Sequence, residues 1–233
     1  MMTKAVEEAR IGVVGGGSWG TALANLLGSK GYVVDFWVFE PEVRESIALH
    51  RENRVFLPGI RLSENLVPSN DLGAVASGKD LILIVVPSHV MREVSLKLAG
   101  FTASDCVVVS ASKGIENQTH LTMSGILRET LPHIPETHLA ALSGPSFARE
   151  VALGVPTVVT VAAKDPDVAQ FVQRVFATPG FRVYTNKDLI GVELGGSVKN
   201  VIAIAAGIID GLGLGLNTRA ALKIGRASCR ERV

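Results

Sequence analysis

The chain has 233 residues, 23 Lys and Arg against 22 Asp and Glu, a net charge of +1 and 47% hydrophobic residues. That is enough for one large domain or one and a half ordinary ones, and too apolar for a disordered chain. Near-neutral charge without a basic run interleaved with aromatics argues against nucleic acid, and two cysteines, Cys106 and Cys229, make neither a disulfide framework nor a zinc pair, which points to a cytoplasmic setting.

Met1 to Arg10 has no apolar segment of the kind a signal peptide carries. Ile11 to Gly15 then predicts a first buried strand, and Ser18 to Lys30 a helix, with Leu23, Leu26 and Leu27 on one face and Gly31 ending it. Tyr32 to Phe39 reads as a second strand and Pro41 opens another helix. Leu81 to Val86 is apolar on both faces, as a central parallel strand should be. Val107–Ser110, Leu139–Leu142 and Thr157–Ala162 repeat the theme, with helices at Ser88–Leu98, Gln118–Leu131 and Pro166–Phe176. This alternation predicts an α/β fold, a doubly wound Rossmann-type parallel sheet over residues 1–188. Leu189 to Ile209 carries no strong turn signal and predicts a long, largely buried helix opening an all-α domain over 189–222. The longest apolar run, Val201 to Ile209, is shorter than the about 20 residues that span a bilayer, so no stable membrane insertion is expected. Residues 223–233 (KIGRASCRERV) hold four basic residues and no helical apolar face, and one codon choice for them spells a sequencing-adapter read. They are expected to be a non-native tail.

Gly15, Gly17 and Gly20 form a GxGxxG between the first strand and the first helix. In that context Gly15 permits the tight turn, Gly17 lets the backbone approach a pyrophosphate, and Gly20 lets helix and strand pack closely. The helix N-terminus, with Ser18 and Trp19, then offers N–H groups to phosphate. Glu40, just past Phe39, lies where a carboxylate accepts bonds from ribose hydroxyls and repels a 2′-phosphate, with Arg44 the nearest cation. NAD is therefore favoured over NADP; the competing reading of Glu40 is a solvated acid at a helix start.

Several motifs follow in series: GGGSWGTALA at 15–24, VVPSHV at 85–90, SKGIE at 112–116, LSGPSFARE at 142–150, GVELGGSVKN from 191 and NTRAAL at 217–222. Together they closely resemble the bacterial-type NAD(P)-dependent sn-glycerol-3-phosphate dehydrogenases from Ile11 to Leu222. The resemblance implies interconversion of sn-glycerol 3-phosphate and dihydroxyacetone phosphate for phospholipid synthesis, NAD as cofactor with NADP possible, a phosphorylated small-molecule substrate, and a homodimer at full length. It implies cofactor contacts from Gly15, Gly17, Ser18, Trp19, Gly20, Phe39, Glu40, Pro87, Lys113 and Ala148, and substrate contacts from Lys113, Gly144, Ser146, Lys199 and Asn200. Lys113 follows a strand end, where open α/β sheets bind ligands. SGPSF lacks the final glycine of a nucleophile elbow, so a serine hydrolase is a poor reading.

Lys199 is the expected catalytic residue. It and Glu193 are the only charges between Gly191 and Ile209, and burial would lower a lysine into general-base range. The matching lysine of the family accepts the C2-hydroxyl proton as hydride leaves. His89 is expected to be structural, in the turn after Pro87, and the histidines show no metal-ligand spacing. The family's further helices supply an acidic partner and a phosphate-gripping Arg-Asn pair that find no match here, so the fragment as written is expected to be inactive. A non-catalytic dinucleotide-binding module and another ketoacid reductase are the competing readings.

Overall fold

The structure is a computed structural model that describes residues 6–144 and 147–222. Eight strands form one sheet: β1 (Ile11–Val14), β2 (Val34–Trp37), β3 (Leu66–Ser69), β4 (Leu81–Ile84), β5 (Val107–Ser110), β6 (Leu139–Ser143), β7 (Thr157–Ala163) and β8 (Phe181–Asn186). Their order is β3-β2-β1-β4-β5-β6-β7-β8, so the chain winds outward from β1 to β3 and then restarts on β1's other side with β4. The crevice between β1 and β4 is the switch point at which such sheets bind ligands.

Helices cover both faces: α1 (Ser18–Ser29), α2 (Pro41–His50), α3 (Leu72–Ala76), α4 (Met91–Leu98), α5 (Met123–Thr130), α6 (Ala148–Ala152), α7 (Pro166–Phe176) and α8 (Leu189–Ser197), while α9 (Lys199–Gly211) follows α8 off the sheet. The sequence LILI of β4 shows why. Leu81 and Leu83 enter a core with Leu23 and Leu27 of α1 and Phe176 of α7. Ile82 and Ile84 enter the opposite core with Met91 and Leu98 of α4 and Ile126 of α5. Period-two alternation thus leaves no polar face on a central strand. Gly31, at φ +108°, ends α1 as read from the sequence.

Three expectations need correction. The sheet is not wholly parallel: β7 runs antiparallel to β6, and β8 runs parallel to β7. The strand period is the same in either direction, so nothing in Thr157–Ala162 signals the reversal. The reversal has a consequence: β8 delivers the chain to the sheet's opposite end, and α8 then runs back towards the carboxyl ends of β5 and β6.

Nor is Leu189–Ile209 one buried helix. α8 and α9 meet at a 44° bend, and no residue of α9 is buried. Ser197 Oγ donates back to the Glu193 carbonyl (2.9 Å) and accepts from the Gly114 N–H (3.2 Å). A serine back-bond just after Gly195-Gly196 is a known way to bend a helix. No single helix among the described residues is long and apolar enough to cross a membrane. The helix expected from Gln118 begins at Met123, because Thr122 Oγ1 caps it by accepting from the Gly125 N–H (3.4 Å). β3, α3 and β8, which the sequence reading passed over, complete the sheet and its cover. The tail 223–233 lies outside the described residues.

Candidate active site

The glycine loop joins β1 to α1 at the switch point. Gly15 has φ +124°, and a Cβ there would stand 2.2 Å from the Val85 carbonyl oxygen. A Cβ at Gly20 would stand 1.9 Å from the Gly15 carbonyl oxygen. Around Gly17 a Cβ would meet nothing within 4 Å. The first and third glycines are thus demanded by protein packing, and the second faces open space. Gly17 caps α1 without a side-chain bond, and Thr21 N–H is bonded back to the Gly17 carbonyl (2.9 Å). The N–H groups of Ser18, Trp19 and Gly20 therefore have no intrahelical acceptor. An exposed helix start with an open glycine fits a pyrophosphate.

At the end of β2, Phe39 is 72% exposed and meets Trp37 edge-on at 6.0 Å. Glu40 precedes Pro41 at the start of α2 in an extended conformation, and its carboxylate makes no cap bond. An acid serving only the helix start would use that bond. Across the crevice, Pro87 opens a short 3-10 turn, Ser88–Val90, that includes His89. Ser112 Oγ accepts from the Val86 N–H (3.0 Å), which joins the loops after β4 and β5. Gly114, at φ +140°, packs so closely on Ser88 that a Cβ would lie 2.6 Å from its hydroxyl.

Lys113 stands at the carboxyl end of β5 and its Nζ donates to the Gly144 carbonyl (3.3 Å), just past β6. Burial pushes the Lys113 pKa down, and the charge of Lys199 adds to the effect. α8 seats against both strand ends: a Cβ on Gly196 would lie 2.6 Å from Ser143 Oγ, with Lys113 Cγ at 3.8 Å. Lys199 Nζ lies over the Phe147 ring at 4.9 Å, next to Ala148 at the start of α6. The structure therefore brings Lys113, Gly144, Ala148 and Lys199 to one edge of the sheet. Asn200 follows on α9, exposed. Ser146 lies outside the described residues.

Lys199, expected to be buried, is only half-buried, as is Lys113. α9 turns away from the sheet at residue 199, so the apolar sequence neighbourhood leaves Lys199 half-buried rather than enclosed. Sequence reading also missed the groups that hold these loops. Glu193 is buried on α8, and its carboxylate accepts from Ser124 N–H (2.7 Å) and Ser124 Oγ (2.5 Å) at the start of α5. Burial pushes its pKa up, against the Ser124 bonds, which pull it down. The signal was present: it is the one acid in a long apolar stretch. Glu116 of SKGIE accepts from Arg92 Nε (2.9 Å) and Nη2 (2.8 Å). Those bonds, with a smaller one from Thr119, hold its pKa down to about 2. Among the described residues no three His, Cys, Asp or Glu are grouped to hold a metal ion.

Residues 10–169 match the model of the NAD-dependent glycerol-3-phosphate dehydrogenase N-terminus, and residues 188–227 match that of its C-terminus. The chain belongs to this family. Glycerol-3-phosphate dehydrogenase [NAD(P)+] of Syntrophobacter fumaroxidans is 54% identical over 91% of the chain, and that of Geobacter sp. strain M21 is 55% identical over 91%. The chain spans 62% and 64% of those two relatives' lengths. Among solved structures, glycerol-3-phosphate dehydrogenase from Coxiella burnetii superposes at TM-score 0.85 with 37% identity, over 97% of this chain and 68% of that one. The Saccharomyces cerevisiae enzyme gives 0.85 and 31%, over 96% and 69%. A ketopantoate reductase from Ralstonia eutropha, at 0.58 and 19% identity, shares the fold.

Proposed function

We propose that the chain carries the dinucleotide site and part of the substrate site of an oxidoreductase that interconverts sn-glycerol 3-phosphate and dihydroxyacetone phosphate with NAD(H), with NADP(H) as the alternative cofactor. The observation that carries this reading is the meeting of Lys113 and Lys199 at the carboxyl edge of the sheet, beside an open glycine loop. Two half-buried lysines, Lys113 bonded to the Gly144 carbonyl and Lys199 one helical turn beyond the contact of Gly196 with Ser143 and Lys113, suit a small anionic substrate better than a neutral one. The glycine loop fits the pyrophosphate, and the uncommitted Glu40 carboxylate fits ribose hydroxyls.

Within that site, Lys199 acts at the C2 oxygen. In the oxidative direction its neutral Nζ takes the hydroxyl proton as C2 becomes a carbonyl, and in reduction its ammonium returns that proton. Bound NAD(P) supplies the hydride acceptor, or in reduced form the donor. Lys113 contacts cofactor and substrate, with Gly144, Ser146 and Asn200 on the substrate and Pro87 and Ala148 on the cofactor. The product would serve phospholipid synthesis in the cytoplasm, and the full-length protein would pair as a homodimer.

The test is steady-state oxidation of NADH by a chain of the relatives' length, with dihydroxyacetone phosphate against non-phosphorylated ketoacids. The proposal expects turnover with dihydroxyacetone phosphate alone. Turnover with a ketoacid, or NADH binding without any turnover, would favour a reductase of another substrate class or a binding module.

A further inference from the structure

The segment between α2 and β3 forms no regular element, yet it carries a side chain as buried as any in the core. Asn53 is 0% exposed. Its Nδ2 donates both to the Gly16 carbonyl (2.8 Å) and to Thr21 Oγ1 (2.8 Å). Its Oδ1 accepts from the Phe56 N–H (3.0 Å). Thr21 Oγ1 donates to the same Gly16 carbonyl (3.2 Å). A flipped amide would set oxygen against oxygen at Gly16 and N–H against N–H at Phe56, so these partners fix its orientation.

The Gly16 carbonyl shares a planar trans peptide with the Gly17 N–H, and the two point in opposite directions. Two buried donors that pin the carbonyl inward therefore aim the Gly17 N–H away from Asn53 and Thr21, at a residue whose own Cβ position is open. The same segment also touches α6: Glu52 Oε1 accepts from the Gly59 N–H (2.8 Å), and the neighbouring Pro58 carbonyl accepts from Arg149 Nη1 (2.7 Å).

We propose that Asn53 is a positioning residue for dinucleotide binding: from behind the glycine loop it fixes the Gly16–Gly17 peptide so that its N–H meets the pyrophosphate. This rests on the dinucleotide reading of the loop. Asn53→Asp keeps the shape and the acceptor for Phe56 but sets a carboxylate oxygen against the Gly16 carbonyl. Thr21→Val removes the second donor at equal size, which guards against a poorly folding first variant. Leu98→Ala, at the end of α4 in the other core, supplies a matched loss of stability remote from the loop.

The measurements are NADH affinity of the 233-residue chain by titration calorimetry, and hydrogen exchange of the ligand-free Thr21 amide, which is bonded to the Gly17 carbonyl. We expect NADH affinity to fall on the order of tenfold in Asn53→Asp and about threefold in Thr21→Val. Leu98→Ala should melt lower with affinity within about twofold, since no contact to the loop is lost. Thr21 exchange should quicken in Asn53→Asp beyond its change in Leu98→Ala. An affinity loss in Asn53→Asp no larger than that of Leu98→Ala overturns the proposal. If the unsubstituted chain binds no NADH, the dinucleotide reading is what fails for this chain. The exchange result then decides the role of Asn53: faster Thr21 exchange in Asn53→Asp than in Leu98→Ala supports it, and unchanged exchange overturns it.

Discussion

At the scale of single residues, Glu193 and Glu116 are acids held in opposite ways, and they predict opposite pH responses. Burial raises the Glu193 pKa above its ordinary 4.5. The folded state then keeps the proton longer than the unfolded one, so the contribution of Glu193 to stability declines as pH rises from about 4.5 through the raised value. Glu193→Gln can keep both Ser124 bonds, accepting the N–H and donating to the hydroxyl. The variant should therefore gain on the parent as pH rises through that window, read as the difference between their urea midpoints at about pH 4 and about pH 7. A difference independent of pH contradicts this. For Glu116, held down to about 2 by Arg92, the sign reverses: its stabilisation is present above 4.5 and is lost as pH falls towards about 2. Glu116→Gln should thus cost stability near neutrality and cost progressively less in acid. Glu40 makes a third prediction. A free carboxylate at the end of β2 should favour NADH over NADPH by about 1–3 kcal/mol, and tighter NADPH binding would refute the assignment.

At the scale of elements, the glycine loop separates two kinds of requirement. Gly20→Ala should destabilise the fold severely, because its Cβ would overlap the Gly15 carbonyl. Gly17→Ala should fold nearly as well as the parent but bind NADH more weakly, because the new methyl occupies open space that the pyrophosphate needs. Melting temperatures paired with NADH titrations check both, and a Gly17→Ala variant with undiminished affinity would place the pyrophosphate elsewhere. These elements were legible in the sequence because each carries a periodic signal bounded by glycine or proline. β5 was read at its observed bounds from an unbroken apolar run, and α7 from Pro166 and a single apolar face. β3 is diluted by Pro68 and Ser69, whereas β8 alternates in Phe181–Tyr184, buried and exposed in turn, over only four residues before Thr185 and Asn186 end the pattern. The bend at Val198 was hidden for another reason. It depends on Ser197 reaching Gly114, a partner distant in sequence.

At the scale of the whole molecule, the sheet is well covered while α9 stands away from it. Val201, Ile204 and Ile208 are each more than half exposed, and so are Leu212 and Leu216 beyond the helix. Each large aliphatic side chain left in water forgoes about 1.5–3 kcal/mol, against a typical domain stability of ~5–15 kcal/mol. The 233-residue chain should therefore self-associate through this segment. Ile204→Glu with Ile208→Glu should shift it towards monomer in sedimentation velocity, and an unchanged distribution would place the contact elsewhere. The same placement explains how much of the site was legible. Lys113 and Gly144 could be placed from their motifs, since each follows a strand end. How far Lys199 is covered could not be read, because its burial depends on where α8 and α9 sit on the sheet. The central claim is that Lys199 is the proton acceptor of a glycerol-phosphate dehydrogenase site. It is tested most directly by turnover of Lys199→Ala in a chain of the relatives' length, with NADH and dihydroxyacetone phosphate. The expected result is a loss of about 10²–10⁴ in kcat with NADH affinity within a few-fold of the parent. A loss of less than about tenfold would contradict it.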